Sequence, residues 1–90
     1  MINLAFNDAE GFKNYLRSTK SDDFALDTTN MNIFDSLKFM VLSSAYFYQK
    51  YPNSKLKCKI KSDDIKSLIV NFDIKNLEFV KWFEFKFCFV

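Results

Sequence analysis

The chain has 90 residues, with 13 Lys and Arg against 11 Asp and Glu for a formal charge of +2, and it contains no histidine, one glycine and two cysteines. That length allows one small domain spanning residues 1–90, and the missing residues exclude whole chemistries. Without His there is no Ser-His-Asp or Cys-His catalysis and no imidazole ligand for a metal, with Gly11 alone no glycine-rich nucleotide loop can be written, and Cys58 and Cys88 cannot build a four-thiolate zinc site.

The N-terminal Ile2, Leu4 and Phe6 alternate with Asn3 and Ala5, a strand period. The segment carries no basic n-region of a signal peptide, and no stretch of the chain holds the roughly 18 apolar residues of a membrane helix. The cytoplasm is the expected compartment, with both cysteines reduced. Asn7 with Glu10 reads as a capping box, after which Phe12, Tyr15, Leu16 and Thr19 recur at helical spacing. Phe24, Leu26 and Thr28 alternate with Ala25, Asp27 and Thr29 as a second strand over 23–29. A long helix is predicted from about 35 to 50, stopping at Tyr51-Pro52-Asn53, with Leu37, Met40, Val41, Ser44, Ala45 and Tyr48 on one stripe. Phe39, Leu42, Tyr46 and Phe47 thicken that stripe until the helix is apolar almost all round, so it is either central or covered by a partner. Lys55-Leu56-Lys57-Cys58-Lys59-Ile60-Lys61 is the cleanest strand pattern. Ser62 or Asp63 then caps a short helix with Ile65, Leu68, Ile69 and Phe72 on one face, and a strand begins at Leu77.

The order is βαβαβαβ. Strands of a parallel sheet covered on both faces should be apolar throughout, whereas these have one apolar and one polar face. The helices therefore belong on one side only, and right-handed crossovers on one side lay parallel strands down in sequence order. The expectation is a two-layer α/β sandwich, mainly parallel, whose open face carries Asn3, Ala5, Asp27, Thr29 and the lysines of the third strand.

The segment Phe24-Ala25-Leu26-Asp27-Thr28-Thr29-Asn30-Met31-Asn32-Ile33-Phe34-Asp35-Ser36-Leu37 resembles the centre of a STAS domain, the fold of the bacterial anti-sigma factor antagonists. The shared pattern is an apolar strand ending in Asp27, a loop, the pair Ile33-Phe34, and Asp35-Ser36 opening the long helix. The elements up to Val80 follow in the family's order, so the resemblance covers about residues 23–80. It implies a non-enzymatic regulatory domain that binds a protein partner, an anti-sigma factor or kinase-like regulator, through Asp27, Asn30, Asn32, Asp35, Ser36, Lys38 and Phe39. It further implies Asp35 as N-cap and Ser36 as the phosphoacceptor, since phosphate on a first helical turn meets unpaired N–H groups and adds a charge of about −1.5 to −2 to the docking surface. The chain departs from the family in Leu37-Lys38, where a small residue and glycine are usual, and in having one strand before its first helix.

Other features have simpler readings. Lysines at 55, 57, 59 and 61 protect a strand against unwanted edge pairing, and a surplus of +2 argues for no nucleic-acid partner. Asp22-Asp23 and Asp63-Asp64 precede apolar segments as turn or cap residues; no metal and no cofactor is expected. The C-terminal Trp82, Phe83, Phe85, Phe87 and Phe89 form an aromatic strand that is either packed under the helices or an oligomer contact, and a homodimer covering it is the preferred arrangement. A structural module that assembles through this strand is the alternative function.

Overall fold

The computed structural model describes residues 2–81. In chain order these form β1 (Ile2–Leu4), α1 (Ala9–Ser18), β2 (Phe24–Asp27), α2 (Ile33–Lys50), β3 (Leu56–Ile60), α3 (Asp63–Ile69) with a 3-10 turn over Val70–Phe72, and β4 (Leu77–Lys81). The sheet is all parallel in the order β1-β2-β3-β4, as the one-sided alternation of its strands predicted. The expected aromatic contact residues Trp82, Phe83, Phe85, Phe87 and Phe89 lie outside the described residues.

Period-2 burial is clearest in β3, where Leu56, Cys58 and Ile60 are each 0 % exposed while Lys57 and Lys59 lie on the other face. Ala25 pairs with Lys57, which pairs with Glu78, and Asp27 pairs with Lys59. Lys55 and Lys61 flank the strand instead of belonging to it, and since β3 is paired with β2 on one side and β4 on the other, its lysines line the open face of the sheet and guard no edge, contrary to expectation. The apolar faces of the four strands meet one core with Phe12 and Leu16 of α1, Phe39, Met40 and Phe47 of α2, and Ile65 and Ile69 of α3. Within it an aromatic chain runs from Phe6 through Tyr15, Phe24 and Phe47 to Tyr51, with successive ring centroids 5.2 to 6.0 Å apart. Such contacts add to the area buried, and they let a short chain close a core.

Helix α2 is the central one, packed between α1 and α3 over the sheet. Its buried stripe is Ser36, Phe39, Met40, Ser43, Ser44 and Phe47, rotated from the expected one so that Ala45 is exposed and Tyr48 is 58 % exposed. Small residues on a buried helix face let backbones approach closely, and Ser43 and Ser44 supply them here.

The helix starts differ from expectation in an instructive way. Asp8, not Asn7, caps α1, its Oδ1 accepting from Gly11 N at 2.9 Å. A Cβ on Gly11 would lie 3.2 Å from Phe6 Cδ1, so glycine lets the Phe6 ring rest on the first turn. In α2 the N-cap is Asn32, and Asp35 is the third helical residue instead of the cap. Asn32 Oδ1 accepts from Asp35 N at 2.9 Å and Asn32 Nδ2 donates to Asp35 Oδ2 at 3.0 Å, a reciprocal arrangement in the manner of a capping box. In α3, Ser62 holds the N-cap position. Ile65 and Ile69 are buried as expected, but Leu68 and Phe72 are 42 % and 54 % exposed. For Phe72 the cause is the switch at Val70 to a 3-10 turn, whose three residues per turn rotate it away from the face set by Ile65 and Ile69; Leu68 lies before that switch, beside the buried stripe of α3.

Candidate functional site

In a parallel α/β layer every helix starts where a strand has ended, so the carboxyl ends of the strands gather the loops and the helix N-termini, and ligands bind there. Here that end carries the loop from β2 to α2. Asp27 Oδ1 accepts from Thr29 N at 3.0 Å and from Thr29 Oγ1 at 2.6 Å, and the Thr28 carbonyl accepts from Met31 N at 3.1 Å to close a four-residue turn. Thr28 Oγ1 donates to the Lys59 carbonyl at 2.9 Å, which ties the turn to β3. The result is a loop fixed by its own polar groups, with Asn30 and Asn32 exposed at its crest.

Three hollows open on this end. One, of about 410 Å³, runs between the first turn of α1 and α2, with Phe39, Leu42 and Tyr46 along α2. A second, of about 330 Å³, lies over the ends of β1 and β2 and is lined by Phe6, Asp27, Asn30 and Asn32. The third, of about 340 Å³, lies between β2, α2 and the start of α3 and is lined by Thr28, Ser36, Lys61 and Asp64. Met31 lines all three. A flexible, polarisable thioether at such a junction can repack against different surfaces.

The rim thus brings together the residues that the sequence pointed to. Asp27, Asn30, Asn32, Asp35 and Lys38 reach its surface, whereas Phe39 is 3 % exposed and serves as a floor. Ser36 is the fourth residue of α2, 6 % exposed, and its N–H donates to Asn32 O at 2.9 Å as the first backbone bond of the helix. Beside it Phe34 is 79 % exposed, the most exposed large apolar side chain among the described residues.

Sequence reading missed Met31, Asp8, Glu10 and Tyr46 as members of the rim. Asp8 and Glu10 meet α2 only through the packing of α1 on α2, a tertiary fact with no local signal. Phe34 did carry one, since it falls outside the apolar stripe of its helix.

Reactive groups are scarce here. Cys58 is buried in the core and its thiol is pushed up to about 12 by loss of solvation, so it is neither nucleophile nor ligand at neutral pH. Among the described residues no three His, Cys, Asp or Glu side chains gather as a metal site, and no helix is long and apolar enough to cross a membrane. No family model, curated protein or solved structure matches the chain.

Proposed function

We propose that the chain is a cytoplasmic, non-enzymatic regulatory domain of the anti-sigma factor antagonist type, which docks a protein partner on the rim at the carboxyl ends of its strands. The observation that carries this reading is Phe34. An aromatic ring held in water on the first turn of a helix stabilises nothing in the free protein, and exposed aromatics beside a concave, polar-edged surface are the usual anchors of protein contacts. The rim offers such a surface around Met31, and the fixed loop at Asp27 to Asn32 presents it without a large ordering cost.

Ser36 is the proposed switch. A phosphoryl group carries a charge of about −1.5 to −2, and Ser36, 6 % exposed, would direct it into the hollow of about 340 Å³ that its side chain lines. Modification would therefore change the charge and shape of the rim beside Phe34 in one step. Lys61 lines the same hollow as Ser36 and could take up part of the new charge.

The test is affinity purification from the native host with the wild-type chain, Phe34→Ala and Ser36→Asp as baits, together with intact-mass measurement of the native protein. A signalling partner retained by wild type and lost with both variants, and a phosphate on Ser36, are the expected results. A partner lost with Phe34→Ala but kept by Ser36→Asp would remove the switch and leave the docking surface. Partners held equally by all three baits would refute the reading.

A further inference from the structure

The rim differs from the rest of the molecule in charge. Its hollows are edged by the carboxylates of Asp8, Glu10, Asp27, Asp35 and Asp64. Only two cations, Lys38 and Lys61, line the same hollows. Over these lining residues the balance is a formal −3, in a chain whose total is +2. Beneath the carboxylates the floor is apolar, with Met31, Ala9 and Phe39, and Leu42 at 38 % exposure beyond them. The groove between α1 and α2 follows α2 from Asp35 to Tyr46. At about 1.5 Å per residue that is about 16 Å, the length of about three helical turns or about five extended residues.

The geometry points to a partner segment of matching chemistry: a short peptide stretch whose apolar side chain seats on Met31 and Leu42 while flanking Lys or Arg residues meet Asp8, Glu10 and Asp35. This inference rests on the docking role proposed above and adds the class of partner segment. Two features set the direction of the segment. Lys13 stands over the Tyr46 ring, its Nζ 5.2 Å from the centroid, so the far end of the groove is basic. The acidic end lies at the helix N-termini, and the basic residues of the partner therefore belong at the end nearest Asp8 and Asp35. Opposed charges of this kind speed encounter and reject wrong partners more than they add affinity.

The experiment selects random 12-residue peptides displayed on phage against the immobilised full chain. Selected peptides are then synthesised and their binding is followed by amide chemical shifts and by titration at low and high salt. The expected outcome is enrichment of Lys and Arg beside Leu, Ile, Met or Phe, shifts centred on Met31, Leu42 and Glu10, and affinity that falls several-fold with salt. The variant Glu10→Lys changes an exposed groove residue that makes no capping side-chain hydrogen bond, and it should weaken binding several-fold, while Lys38→Glu should strengthen it. Rim-binding peptides with no basic enrichment, or with binding indifferent to these variants, would overturn the inference and leave the docking surface intact. Peptides that instead shift Tyr48 and Lys75 at the opposite end, or no selected peptide at all, would count against both.

Discussion

The two ends of the sheet are held by different kinds of bond. At the amino ends of the strands, side chains reach across the fold. Lys50 Nζ donates to the carbonyls of Leu16 and Thr19, Ser54 Oγ donates to Asp22 Oδ2 at 2.8 Å, and Asn76 Nδ2 donates to Ser44 O at 3.0 Å. Each joins residues more than 30 apart in sequence. At the carboxyl ends the bonds of Asp8, Asp27 and Asn32 stay within two or three residues, and Thr28 ties its turn to β3. A wider hollow than those of the rim, of about 710 Å³, lies at the amino end beside Tyr48, Lys55 and Lys75. The amino end is where the tertiary structure is stitched, and the carboxyl end presents local, self-supporting turns to the outside.

If that division is right, changes at the two ends should separate stability from binding. The largest expected effect is at Phe47, 0 % exposed and in ring contact with both Phe24 and Tyr51. Phe47→Ala opens a cavity where the aromatic chain crosses from sheet to helix and should cost about 3 to 5 kcal/mol, read as a shift in urea midpoint. For a domain this short that is much of the total stability. A loss under about 1 kcal/mol would mean that the aromatic chain is not the core it resembles.

How far the sequence led can be judged residue by residue. Strand β3 was legible because Leu56, Cys58 and Ile60 alternate with lysines without exception, and the one-sided alternation then fixed both the face of the helices and the strand order. The helix starts were less legible. Asn7 and Asp8, or Asn32 and Asp35, are equally good caps by residue type, and the choice was made by the fit of Phe6 over Gly11 and by the reciprocal bond between Asn32 and Asp35. The rim was half legible. The loop residues Asp27 to Asp35 form one continuous segment, but Asp8 and Glu10 join them only because α1 packs on α2, and nothing near residue 8 announces that neighbour.

A smaller effect tests the stitching itself. Lys50 places its ammonium on the C-terminal carbonyls of α1, where a cation also meets the negative end of the helix dipole, and it stands 5.5 Å from the Tyr51 ring centroid. Lys50→Met keeps the apolar stem and removes the charge. It should lower stability by about 1 kcal/mol, because water can replace an exposed donor in part, and it should leave the rim and its peptide binding unchanged.

The smallest stability effect should come from the rim. Met31 is only partly buried and lines three hollows, so Met31→Ala removes a side chain that the free protein packs loosely. The urea midpoint should shift by no more than about 0.5 to 1 kcal/mol, well below the cost of emptying a packed core site, whereas binding on the rim should weaken more than tenfold. This pair of readouts separates two roles that look alike in a static fold. A methionine that is there to fill the junction of β2, α1 and α2 would move the midpoint and binding together, since the surface would collapse with its support. A methionine that is there for a partner moves binding alone, and its side chain earns its place only in the complex.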